Sequence, residues 1–397
     1  MMSMAESSFS LRDIALPAFG PSVLYGMANG AILPVIAFSA RDLDASVAVS
    51  GLVAALTGIG SLVSNVPAAV VTARFGERRA MVGAAVFAGF ALLLCILARH
   101  VAMLAAGVFM MGMAGSVFAL ARQSFLIEAV PINLRARALS TLAGSMRIGV
   151  FVGPFAGAAM VHLMGLRGAY LVALLAMVGV GLLALAVPDL SHRSAQAGDA
   201  GPKPTMRGIL RSHSRVFLTL GLGAMLVSAL RSSRQVVIPL WAEQLGIAPA
   251  TASLVYGLAA AVDMTVFYPA GRVMDRHGRA WVAVPSTLLM GVALMAMTLT
   301  TGIASFLAAT LALGLGNGIG SGIIMTLGAD ASPRAGRTQF LGIWRMLSDI
   351  GASSGPVLLS AVTALFSLAA GMVTIGALGL AAAAVFWRWI PPWPAKR

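Results

Sequence analysis

Residues 67–79 read PAAVVTARFGERR, and residues 269–281 read PAGRVMDRHGRAW. With a shift of 202 residues Pro67 falls on Pro269, Arg74 on Arg276 and Gly76 on Gly278. The same shift places Gly112 on Gly314, Glu128 on Asp330, Pro131 on Pro333 and Arg135 on Arg337. Further on, Gly149, Gly153 and Pro154 fall on Gly351, Gly355 and Pro356. A chain with 44 glycines matches some of them by chance, but not prolines and arginines in one ungapped register. The chain is therefore two parallel copies of one unit.

What surrounds these stretches fixes the solvent. Of 397 residues, 59% are hydrophobic and only 10% charged, with a mean hydropathy of +0.92. Soluble domains carry roughly 25% charged residues, so neither a soluble globule nor a disordered chain fits. The apolar runs are long and unbroken rather than short and alternating, which excludes a transmembrane barrel. Twelve apolar spans are read: 15–38, 47–72, 80–98, 102–126, 138–163, 168–187, 215–243, 250–273, 281–301, 304–328, 340–366 and 369–389. Each is long enough for a hydrocarbon core of about 30 Å at about 1.5 Å per residue. The expected fold is an all-α polytopic membrane protein, with twelve transmembrane helices in two parallel-repeat six-helix bundles. The bundles are residues 1–187 and 215–397, and the polar, Pro/Gly/Ser-rich segment 188–214 reads as a cytoplasmic linker.

Charge sets the expected orientation. With the N-terminus inside, the cytoplasmic loops, linker and tails hold clusters such as Arg74, Arg78 and Arg79, or Arg272, Arg276 and Arg279. The opposite side has Arg41, Arg99 and Arg167. This is the positive-inside pattern, and it places both termini in the cytoplasm of a bacterial inner membrane. It also explains a net charge of +14 without nucleic acid as a partner. One cysteine, Cys95, allows no internal disulfide and no cysteine-based metal site, and the five histidines show no HExxH spacing. No metal or cofactor is expected. The polar start and the length of the first apolar run argue against a cleaved signal peptide. No P-loop and no nucleophile–base constellation is found, so neither an ATP-driven pump nor an enzyme is expected.

Ionisable side chains at membrane depth are costly and are functional candidates by default. Within the spans lie Arg122, Arg147, Arg231, Arg234, Arg345, Asp263 and Asp349. Glu128 and Asp330, at span ends, are expected to pair with loop arginines such as Arg135 and Arg337. Trp241, Trp281, Trp344, Trp387, Trp389 and Trp393 sit mostly near span ends and read as interface anchors.

Three segments carry a family resemblance. GRVMDRHGRA (271–280) matches the G-x-x-x-D-R-x-G-R-[RK] motif between spans 8 and 9 of major facilitator superfamily transporters, apart from Ala280. AVVTARFGERR (69–79) keeps Arg74, Gly76, Arg78 and Arg79 but has Ala69 and Ala73 where the family has Gly and Asp. GVFVGPFAGA (149–158) resembles the G-x-x-x-G-P-x-x-G-G motif of the family's antiporters, with Ser140 and Ala158 at its outer glycine positions. Val108 stands where the family has an arginine in span 4. The chain thus resembles the twelve-helix drug or metabolite:proton antiporters of that superfamily over about residues 12–390.

That resemblance implies roles. A cytoplasmic latch between halves would involve Gly271, Asp275, Arg276, Gly278 and Arg279, with a weaker first-half copy at Arg74 and Gly76. Gly271 and Gly278 read as sites of close helix approach and a tight turn. Gly149, Gly153 and Pro154 read either as small-residue packing or as a seal between halves. Because helix 5 faces helix 8 in the family, Arg147 and Asp263, each about 14 Å deep, are expected to pair across the halves. Such a pair would make the proton affinity of Asp263 depend on conformation. Asp349 occupies the repeat position of Arg147, with Arg345 one turn before it. Helices 1, 4, 7 and 10 line the family's cavity, which implies a substrate role for Arg231, Arg234, Gln235, Tyr25, Asn29 and Asn317. In the other reading Arg231 and Arg234 pair with Asp263 or with backbone carbonyls. The expected function is proton-coupled efflux of a small organic solute by a monomer in the lipid bilayer, against proton-coupled import or facilitated passage of an organic anion.

Overall fold

A computed structural model describes residues 15–130, 132–186, 206–333 and 336–391, and among these helix is the only regular structure. The first bundle holds Ala15–Asp42, Val47–Phe75, Glu77–Ile96, Val101–Ala129, Ile132–Met164 and Arg167–Leu185, here spans 1 to 6. Spans 7 to 12 are Ser214–Gln244, Pro249–His277, Ala280–Met297, Ile303–Ala331, Arg337–Leu365 and Leu368–Trp389. Eleven of these meet the length and apolarity needed to cross a bilayer, and Arg337–Leu365, with Arg345 and Asp349 in its interior, is the twelfth at 29 residues. Helices are the expected solution, since an unsatisfied backbone group in hydrocarbon costs several kcal/mol. The chain is a multi-pass membrane protein. Of the linker 188–214, residues 188–205 lie outside the described residues; Met206–Ser212 is a short helix that buries Ile209 against the second bundle.

The 202-residue repeat is visible in packing. Gly149 and Gly153 of span 5 lie against the carbonyls of Val23 and Met27 in span 1. Shifted by 202, Gly351 and Gly355 of span 11 lie against those of Met225 and Ala229 in span 7. Gly112 on Thr57 and Gly314 on Ala259 repeat the same relation between spans 4 and 2, and between spans 10 and 8. Without side chains at these points the backbones approach closely, and dispersion replaces the hydrophobic effect that lipid cannot supply. Gly149 and Gly153 therefore belong to the internal packing of the first bundle, while Pro154 and Phe155 reach Gly257 of span 8 in the other. Gly76 (φ 79°) and Gly278 (φ 99°) turn the chain at equivalent points, in an extended positive-φ region that costs other residues about 1–3 kcal/mol. Gly271 differs from the sequence reading: among the described residues no neighbouring helix comes within 4 Å of where its Cβ would stand.

Span 10 also departs from expectation. Read as continuous over 304–328, it is helical over Ile303–Ile319 and Ile323–Ala331, broken between them with Gly322 at φ 85°. The cause is local: GLGNGIGSG (314–322) has glycine at every second position and almost no propensity to hold a helix. Two tryptophans are core residues rather than interface anchors. Trp241 is buried and donates to Thr300 Oγ1 at 2.8 Å, and Trp344 is buried and donates to the Ile324 carbonyl at 2.9 Å. Trp393 lies outside the described residues.

Candidate functional site

The bundles meet along spans 2 and 11 and along spans 5 and 8. Halfway along the second seam sits Asp263. Gly314 and Gly318, four apart on span 10, press on span 8 at Ala259 and at Asp263, which brings Asn317 beside the carboxylate. Asn317 Nδ2 donates to Asp263 Oδ2 at 2.5 Å. Arg234 of span 7 approaches the same oxygen at 3.9 Å. From the other bundle, Arg147 Nη1 lies 3.7 Å from Asp263 Oδ1. The Asp263 side chain is 16% exposed and that of Arg147 34%, so water reaches the arginine more readily.

The break in span 10 supplies the remaining ligands. Freed from helix, the Gly320 carbonyl accepts from Arg231 Nη2 at 2.6 Å. Ser321 Oγ accepts from Arg147 Nη2, whose guanidinium also stacks 4.3 Å from the Phe267 ring. Unwound backbone at mid-membrane is tolerated where polar side chains satisfy it, as here. Two guanidiniums, one from each bundle, thus flank one carboxylate, and a third, Arg231, is held at the neighbouring Gly320 carbonyl. Charge–charge contacts of this kind gain strength from the low dielectric and lose it when one partner withdraws.

The other seam holds a second polar chain. Ser116 Oγ of span 4 donates to Asn65 Oδ1 at 2.7 Å, and Asn65 Nδ2 donates across the seam to Asp349 Oδ2 at 3.1 Å. Arg345 Nε stands 3.9 Å from the same oxygen, one turn along span 11. A cavity of about 400 Å³ between spans 2, 4 and 11 is lined by Asn65, Ser116, Gln123, Arg345 and Asp349.

Between the seams lies a central cavity of about 310 Å³. Tyr25, Ser61, Arg122 and Met146 line it from the first bundle, and Ser232, Gln235 and Pro356 from the second. Of the residues expected to bind solute, Tyr25 and Gln235 border this space; Asn29 instead donates to the Tyr25 carbonyl of its own helix at 2.9 Å. Arg231, Arg234 and Asn317 are engaged around Asp263 and Gly320. Sequence reasoning marked Arg122 as an intramembrane charge but gave it no place, and it missed Asn65, Ser116 and Ser321. Unlike a charged side chain, each of these three is too ordinary a residue to stand out before its neighbours are known.

At one end the bundles are joined: Arg41 Nε meets Glu243 Oε1 at 2.8 Å, and Ala37 and Phe38 of span 1 are buried in the core of the second bundle. At the arginine-rich end, Arg279 Nε pairs with Asp330 Oδ2 at 2.8 Å, and Asp275 lies 3.9 Å from Arg279. Asp330 was expected to pair with Arg337; the tight turn at Gly278 puts Arg279 nearer. The expected pairing of Glu128 with Arg135 falls outside the described side chains. Arg74 and Arg276 are exposed there, next to Gly76 and Gly278.

A family model described as Major Facilitator Superfamily matches residues 20–233 and 220–397. The Multidrug resistance protein MdtG of Escherichia fergusonii is 25% identical over 178 residues, a match that spans 43% of this chain and 44% of that protein. Among solved structures, a D-xylose-proton symporter superposes with a TM-score of 0.77 at 16% identity, over 97% of this chain and 99% of the other. A bacterial homolog of the human lysosomal transporter Spinster, inward-facing and unoccupied, also gives 0.77 at 16% identity, over 95% and 96%. At such identities the likeness is one of fold.

Proposed function

The chain belongs to the major facilitator superfamily, and from that premise we propose that it exports a small organic solute across a bacterial inner membrane in exchange for protons. It is a transporter of a small molecule rather than an enzyme. In the proposed orientation the arginine-rich end and both termini face the cytoplasm, as the positive-inside rule asks. The chain divides into bundles at residues 1–187 and 215–397 around a linker, and works as a monomer. The 44% span of the multidrug relative lends its direction, not its substrate.

One observation carries the coupling: Asp263 in one bundle touches Arg147 in the other at 3.7 Å. Rocking of the bundles makes this ion pair in one state and breaks it in the other, and a proton on Asp263 takes the place of the guanidinium where the pair is broken, which is the differential binding that coupling requires. Asp349, held by Asn65 across the other seam, is placed to respond to the same motion. The Arg41–Glu243 pair joins the far end, which supports reading this conformation as inward-facing, and in the proposed cycle the segments Gly271 to Arg279 and Arg74 to Gly76 act as the cytoplasmic gate. The test is counterflow of labelled solutes into liposomes with and without an imposed pH gradient. Acceleration by a gradient that is acidic on the far side supports exchange; indifference to the gradient overturns it.

A second reading, uptake or facilitated passage of an organic anion, is favoured by the excess of three arginines (Arg147, Arg231 and Arg234) over the single Asp263. Net flux toward the cytoplasm on a gradient of solute alone would favour it.

A further inference from the structure

Five arginines lie deep within the spans, away from the span ends, and four have an oxygen partner: Arg147 and Arg234 at Asp263, Arg231 at the Gly320 carbonyl, and Arg345 at Asp349. Arg122 has none among the described residues. Its terminal nitrogens touch only the Met146 sulfur, at 3.9 and 3.8 Å, and its Nε is buried with no hydrogen-bond partner. A weak stabilisation comes from the Phe118 ring, 5.6 Å from Cζ. Phe118 is itself stacked on Tyr25 at 4.7 Å, so the guanidinium stands on a fixed aromatic platform. An unpaired cation at this depth costs several kcal/mol, and the charge is placed where a cavity opens.

We propose that the central cavity binds a small aromatic or alicyclic monocarboxylate, with its carboxylate on Arg122 and its apolar body across to Pro356 of the other bundle. Among the described residues that line the cavity none is acidic and Arg122 is the one charged side chain, so one negative charge neutralises it. A guanidinium fork matches a carboxylate with two parallel hydrogen bonds, geometry that a phenol or alcohol lacks. Tyr25 and Gln235 offer further polar contacts from opposite sides, and Leu33, Ile36 and Val236 form apolar wall. At about 310 Å³ the space is at the small end of ligand pockets, which run roughly 300–1,000 Å³. Because both bundles line it, the bound acid would be gripped by both and its release tied to their motion. This assignment rests on the transporter reading for its purpose but not for its chemistry.

The test uses the full chain purified in detergent, with no gradient, so that a failure of proton coupling leaves it untouched. Binding of 1-naphthoate and 4-phenylbutyrate is compared with that of their primary amides, which keep shape and lose charge. The wild type is expected to bind at least one acid about tenfold more tightly than its amide. Arg122→Gln is expected to bring that ratio near one with the amide affinity unchanged, and Arg122→Lys to restore part of it. Arg99→Gln, at an exposed arginine beyond the end of span 3, is expected to leave the ratio as in wild type. Should the Gln variant not fold, the wild-type ratio and the Lys variant still decide. Equal affinity for acid and amide in the wild type, no binding of either acid, or an undiminished preference in the Arg122 variants would overturn the proposal.

Discussion

Arg41 and Glu243 hold the same position in the two repeats, 202 residues apart, and their side chains meet at 2.8 Å. Two equivalent positions related by a pseudo-two-fold can touch only on its axis. For parallel repeats that axis runs along the membrane normal, so this ion pair marks the centre of the joined end. The Arg41 Nη1 bond to the Ala45 carbonyl, at 2.5 Å, fixes the guanidinium from its own bundle.

A pair on the axis should tolerate exchange. Arg41→Glu or Glu243→Arg alone puts like charges together and is expected to weaken closure by about 1 kcal/mol, a roughly fivefold shift between states. The double variant Arg41→Glu/Glu243→Arg is expected to return to near wild type. Initial transport rates of the three variants in liposomes check this. A double variant as impaired as the singles would place the function of these residues elsewhere.

Close packing at Gly318 and open space at Gly271 should give opposite signs. A Cβ at 318 would stand 2.6 Å from the Asp263 carbonyl, so Gly318→Ala is expected to cost about 1–3 kcal/mol. Gly271 has room, and Gly271→Ala is expected to gain about 0.5–1 kcal/mol from lost chain entropy within a helix. Thermal unfolding in detergent reads both, and a stabilising Gly318→Ala would contradict the packing.

The shift of 202 carries Arg279 and Asp330, which pair, onto Glu77 and Glu128, which cannot. Glu77 is buried, and Glu128 Oε2 is buried without a hydrogen-bond partner. Glu77→Arg is expected to rebuild the missing pair and raise stability by about 1 kcal/mol. A lower melting temperature for this variant would show that the two ends of the repeat have diverged in backbone as well as in charge.

The repeat, the twelve helices and the charges inside them were legible because each is a property of residue type at a spacing. What each arginine touches was not. Arg231 finds the Gly320 carbonyl only because span 10 breaks there, and a run of glycines signals weak helix without saying which carbonyl is freed. Asp330 turns to Arg279 rather than Arg337 through the φ of Gly278. The Arg41–Glu243 pair was within reach: the shift that aligns Pro67 with Pro269 also sets these opposite charges on one position.

The most direct measurement is on Asp263→Asn. In liposomes the variant is expected to keep solute counterflow at a rate within about twofold of wild type, since the Asn amide oxygen can still accept from Asn317. It is expected to lose all acceleration by an imposed pH gradient. Gradient-driven transport at the wild-type level, with the same dependence on pH, would contradict the assignment of Asp263 as the group whose protonation is tied to rocking of the bundles.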